Sequence, residues 1–127
     1  MHLGIDFGTS YTKLGFIADG KFINLAGADG QIPTVVTYLP AQEKLFFGPL
    51  ALRLNEPGAV QLRFFKLELR RNPGFRLGPY FLKDIVRSFF VYLHEQYVPK
   101  NEKIDTVTVS VPNYFGLKAR KMLREAI

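Results

Sequence analysis

Cysteine is absent from the 127 residues, which excludes a disulfide framework and any thiolate metal site. No uninterrupted apolar run approaches the roughly 20 residues that a membrane-spanning helix needs. The chain enters an apolar stretch at Leu3 with no basic segment before it. No signal peptide is therefore expected, and the reading is a cytoplasmic protein. Histidine is scarce: His2 and His94 stand far apart without local ligand partners, so neither is assigned to a metal. Acidic residues are the minority charge, 11 against 17 Lys and Arg, for a net charge of +6.

What remains is an ordinary globular balance, 47% apolar and 22% charged, in a length suited to one compact domain. The basic residues fall in two groups: Arg63, Lys66, Arg70, Arg71 and Arg76, then Lys118, Arg120, Lys121 and Arg124. Such groups attract polyanions, but they equally form a solvated surface or a contact face for acidic segments, and the second reading is preferred. Nucleic acid is not the expected partner. Most aromatic residues fall at core-like spacing instead of forming a stacking platform.

Residues 3–7 form a short apolar run closed by Gly8-Thr9-Ser10, and residues 12–18 resume an extended pattern. Asp19-Gly20 then signals a tight hairpin turn before a third strand at 21–25. This predicts an antiparallel three-stranded meander. A Gly-rich loop at 26–31 leads to a β-branched strand at 35–39, with 45–47 able to pair against it. Pro49 suits the first turn of a helix over 50–55, and Pro57-Gly58 ends that piece. Residues 60–71 are ambiguous by periodicity. The clearest helix is expected over 80–97, opened by Gly78-Pro79 and closed by Pro99. Its stripe of Leu82, Ile85, Val86, Phe89, Phe90, Leu93 and Tyr97 reads as core. Residues 105–111 alternate Val with Thr or Ser and arrive after a helix, so a parallel place in the first sheet is expected. A last helix from about 116 reaches Ile127 without a stop signal, which reads as a chain cut short. The order suits an α/β layer structure.

The chemistry concentrates in Gly4-Ile5-Asp6-Phe7-Gly8-Thr9-Ser10-Tyr11-Thr12-Lys13. A strand delivers a carboxylate at its tip, and a glycine-containing turn follows with small hydroxylated residues. Backbone N–H groups and hydroxyls in such a turn can cradle phosphate oxygens. Asp6 repels phosphate directly, so its sensible role is to hold a hydrated Mg²⁺ that bridges to the phosphates. The pattern is neither the Walker loop nor the Rossmann fingerprint, both of which place their glycines before a helix. A plain hairpin is the bland alternative.

The run Asp6-Phe7-Gly8-Thr9-Ser10 resembles the first phosphate motif shared by actin, sugar kinases and the seventy-kilodalton heat-shock chaperones. By itself it leaves all three open. Three later segments resemble the chaperone branch: Ile32-Pro33-Thr34-Val35-Val36-Thr37-Tyr38, Phe47-Gly48-Pro49-Leu50-Ala51, and Phe65-Lys66 near Arg70 and Arg71. So does Val107-Thr108-Val109-Ser110-Val111-Pro112-Asn113-Tyr114-Phe115, followed by Arg120. The resemblance implies a ribonuclease H-like, actin-like ATPase fold, with residues 1–127 forming the first lobe (base plus upper subdomain) as a partial domain. An actin-like filament protein and a sugar kinase are the alternatives within the superfamily.

For the site, the resemblance implies ATP or ADP with Mg²⁺. Asp6 would organise the metal's waters, and Gly8, Thr9, Ser10 and Tyr11 would wrap the β- and γ-phosphates, with Thr9 also near the nucleophilic water. Lys66 would neutralise charge developing on the γ-phosphate. Pro112 and Arg120 would couple nucleotide state to a substrate domain. The whole protein would hydrolyse ATP as a chaperone and engage unfolded polypeptides and co-chaperones. Leu67 and Leu69 depart from the family's usual basic residue and glycine, Asn113 from a small alanine and Phe7 from an aliphatic residue, which points to a divergent member. The family's second phosphate hairpin, water-activating acid and adenosine pocket lie downstream. Weak or absent ATP binding and no turnover are therefore expected of this chain alone, as is self-association through uncovered apolar surface.

Overall fold

The computed structural model describes residues 1–26, 30–63 and 74–110. They form a small α/β domain with a mixed sheet. Strands β1 (His2–Phe7), β2 (Tyr11–Ala18) and β3 (Lys21–Asn24) make the expected antiparallel meander. Asp19 (φ 51°) and Gly20 (φ 73°) close its second hairpin with both central residues left-handed, the backbone that a two-residue turn between twisted strands demands. The short β4 (Ile32–Pro33) pairs with the start of β2.

Beyond Thr34 the chain leaves this sheet for a second one, made of β5 (Val35–Leu39), β6 (Lys44–Phe47) and β7 (Val60–Arg63) with β5 central. All five residues of β5 are buried, which explains why its sequence is nearly continuous in apolar residues instead of alternating. Val36 and Tyr38 join the main core. On the other face Thr37 donates its hydroxyl to the Ala51 carbonyl at 2.7 Å, which holds helix α1 (Gly48–Arg53) against the strand. Helix α1 begins two residues before the expected 50–55 and ends two earlier. Pro49 occupies the first helical turn itself, and the Leu54 N–H closes the end on Leu50. Gly48 sits at φ 66°, where an added Cβ would lie 2.1 Å from the Tyr92 hydroxyl, so the helix start needs glycine.

Gly78-Pro79 does not open the long helix. It is the turn of a small hairpin, β8 (Arg76–Leu77) with β9 (Tyr80–Phe81), and helix α2 spans Leu82–Tyr97. Tertiary contacts decide this. The Tyr80 hydroxyl donates to the Glu43 carbonyl at 2.7 Å, and the Leu82 N–H donates to the Phe75 carbonyl. Asp84 accepts from the Phe81 N–H at 3.0 Å and so satisfies the helix's N-terminal backbone.

The expected apolar stripe of α2 is the core. Leu82, Ile85, Val86, Phe89, Phe90 and Leu93 are buried, and they meet Leu3, Ile5, Phe7 and Leu14 of the first sheet. Phe7 lies 5.8 Å from Phe89 and 5.4 Å from Phe90, ring centre to ring centre. Phe89 also reaches Phe47 at 5.7 Å. One helix thus ties both sheets into one core, and aromatic pairs of this kind add about 0.5–1.5 kcal/mol each beyond their area burial.

After α2 the chain returns as β10 (Thr106–Ser110), parallel to β1 from His2↔Thr106 to Asp6↔Ser110. The parallel placement expected from the sequence is what the structure has. The helix expected from 116, like residues 64–71 of the ambiguous stretch, lies outside the described residues.

Candidate functional site

The β1–β2 register places Asp6 opposite Lys13 and Phe7 opposite Thr12. Alternation then separates two faces. Leu3, Ile5 and Phe7 turn to the core, while Asp6 is exposed on the other side with Ser110 of β10 beside it. Asp6 has no hydrogen-bond or ion-pair partner among the described residues, Lys13 included. Those residues also contain no group of three His, Cys, Asp or Glu able to enclose a metal. Mg²⁺ dehydrates reluctantly and keeps several waters when only one or two carboxylates hold it. A single exposed carboxylate is compatible with a hydrated Mg²⁺ ion.

Residues 8–10 carry the chain from β1 into β2. An added Cβ at Gly8 would fall 1.9 Å from the Tyr11 carbonyl oxygen, a backbone atom. The turn closes on itself so tightly that only glycine fits. Its far side is fastened to the crossing between the sheets: the Thr34 N–H donates to the Ser10 carbonyl at 2.9 Å, and the buried hydroxyls of Thr12 and Thr34 share a hydrogen bond of 2.7 Å. Thr34 is thus a positioning residue that sequence reasoning passed over as part of a strand. Ser10 and Tyr11 are exposed, with Tyr11 52% accessible.

The turn lies beyond the carboxyl ends of β1 and β10, the two parallel strands. Ligands of open α/β sheets collect at that end. Asp6, Gly8, Thr9, Ser10 and Tyr11 are therefore brought together at one end of the sheet. Lys66, Pro112 and Arg120, together with Leu67, Leu69 and Asn113, lie outside the described residues.

A cleft of about 180 Å³ adjoins the turn, lined by Ser10, Tyr11, Thr34, Leu52 and Arg63 among others. A larger cleft of about 550 Å³ runs between α1 and α2 past Lys44, Arg53, Tyr92 and Tyr97. There burial and the Tyr97 hydroxyl, 3.4 Å away, push the Tyr92 hydroxyl above the ordinary tyrosine value. Its size does not make it the site: neither Asp6 nor any residue of the 8–11 turn lines it. No helix among the described residues is long and apolar enough to cross a membrane. No protein-family model and no curated protein matches this chain.

Proposed function

We propose that the turn at 8–11 is a phosphate cradle, and that the chain forms the front of an actin-like ATPase domain of the seventy-kilodalton chaperone type. The observation that supports this best is the conjunction at one strand end of three features: the exposed Asp6 carboxylate, a turn closed too tightly for any residue but Gly8, and the exposed Ser10 and Tyr11. Backbone N–H groups and hydroxyls in such a turn suit phosphate oxygens. Asp6 would hold the water shell of Mg²⁺, and the bound ion would offset charge on the β- and γ-phosphates. Lys66 is the proposed catalytic cation, with Thr9 near the attacking water, and Pro112 and Arg120 are the proposed couplers to a substrate domain. ATP hydrolysis and handling of unfolded polypeptides with co-chaperones are proposed for the whole protein.

The test is titration of the ¹⁵N-labelled chain with ATP, with and without Mg²⁺. Amide shifts should centre on residues 6 and 8–11, with an affinity no tighter than about millimolar, because phosphate contacts alone yield about 4 kcal/mol or less. Asp6→Asn should remove the Mg²⁺ dependence and leave the dispersion of the spectrum intact. Shifts that bypass the turn, or a Mg²⁺ effect that survives Asp6→Asn, would overturn the assignment. Micromolar affinity would overturn the half-site reading.

A further inference from the structure

The same cleft carries a cation that the sequence did not connect with the turn. The chain from β4 to β5 passes from the first sheet to the second with Thr34 as its only intervening residue. On one side of this crossing Thr34 holds the Ser10 carbonyl. On the other, Val35 pairs with Arg63 of β7. The crossing therefore sets Arg63 and the Ser10–Tyr11 corner on opposite walls of one cleft of about 180 Å³.

Arg63 is also oriented. The Gln61 amide donates to the Ala51 carbonyl of α1 at 3.1 Å, and the Gln61 Oε1 accepts from Arg63 Nε at 3.0 Å. Helix α1 thus fixes Gln61, and Gln61 fixes one edge of the guanidinium. The two terminal Nη groups stay free of protein partners among the described residues. Among the described residues no carboxylate lines the cleft to compete for them. A guanidinium with a pair of donors unengaged by the described residues, across a cleft from the Ser10 and Tyr11 hydroxyls, is suited to a tetrahedral oxyanion gripped by two parallel hydrogen bonds.

We infer that Arg63 is an anion-binding residue of the turn site, holding a phosphate group from the β7 side while Ser10 and Tyr11 hold it from the β2 side. This rests on the phosphate reading of the turn and adds to it a residue and a direction of approach. The role belongs to Arg63 itself, whatever Lys66 does, because the Val35↔Arg63 register places it.

The experiment is a titration of the ¹⁵N-labelled chain with sodium pyrophosphate at low ionic strength, without Mg²⁺ or nucleoside, so that Asp6 has no part in it. The wild type, Arg63→Gln and Arg63→Lys are compared after urea unfolding has shown equal stability. Both the turn amides (8–11) and the far-wall amides (34, 35 and 52) should shift in the wild type. Arg63→Gln should weaken binding by about tenfold, the size of one charged hydrogen-bond contact, and Arg63→Lys should restore part of that. Shifts at the turn that are equally strong in Arg63→Gln would overturn the role of Arg63 and leave the cradle standing. Shifts at the far wall alone, sensitive to Arg63, would keep the anion contact and remove the cradle. No shift at either wall would overturn both.

Discussion

Strand β2 is entered and left by tight, glycine-containing turns that are built on different principles. At Asp19-Gly20 the chain reverses in two left-handed residues, and an added Cβ at Gly20 would meet nothing within 4 Å. At 8–10 the glycine is hemmed in by backbone, and the turn is fastened to the crossing strand by the Ser10–Thr34 and Thr12–Thr34 hydrogen bonds. One turn only has to close a hairpin. The other is held in a single shape by contacts that a hairpin does not require. Pre-set backbone donors bind an anion without first losing conformational freedom, so the extra fastening is what a cradle needs and a plain reversal does not.

The largest expected effect is at Gly8. The methyl group of Gly8→Ala would meet the Tyr11 carbonyl oxygen, which cannot withdraw without moving Tyr11 out of its pairing with Pro33. The expected loss is about 3 kcal/mol or more, read as a fall in the urea midpoint, with disturbance centred on the 8–11 and 33–34 amides. If Gly8→Ala unfolds at the wild-type midpoint, the turn is as loose as the one at Asp19-Gly20 and the contrast collapses.

Next comes Thr34→Val. It preserves shape but strands the buried Thr12 hydroxyl, at a cost of about 1–3 kcal/mol. The double variant Thr12→Val with Thr34→Val removes both partners and should recover part of that loss, since two apolar groups of matched shape leave nothing unsatisfied. A double variant whose loss equals the sum of the single losses would show that the two hydroxyls are not coupled, and the fastening would then rest on the backbone bond to Ser10 alone.

The first turn, the meander and the parallel return of β10 were all legible in the residues, because glycine placement and Val/Thr alternation are local signals. The two sheets' junction was not. Residues 60–63 have no decisive period; they form β7 because Leu62 and Val60 pair with Val36 and Tyr38, which the core has already placed. Gly78-Pro79 misled for a related reason: Pro suits a first helical turn and a reverse turn equally. The contact of Tyr80 with Glu43, distant in sequence, together with the Leu82–Phe75 bond that extends the hairpin, chose the reverse turn. At the candidate site, Asp6 to Tyr11 could be picked out by residue chemistry alone. Thr34 and Arg63 could not, since their parts in it come from a hydrogen bond and a register that join separate sheets.

The smallest effect sharpens the comparison from the other side. Gly20→Ala meets no steric obstacle, so its cost is the backbone preference alone. Holding an L-residue in the left-handed region costs about 1–2 kcal/mol, offset by about 0.4–1 kcal/mol because alanine also narrows the unfolded ensemble. A net loss of about 0–1.6 kcal/mol is expected, and Gly20→Asn should cost less still because asparagine tolerates that region. Neither change should alter the pyrophosphate response of the 8–11 amides, since β2 lies between the two turns and its pairing with β1 is untouched. A response weakened by Gly20→Ala as much as by Gly8→Ala would mean that the anion senses the integrity of the whole hairpin, and the rigid turn at Gly8 would lose its special part in binding.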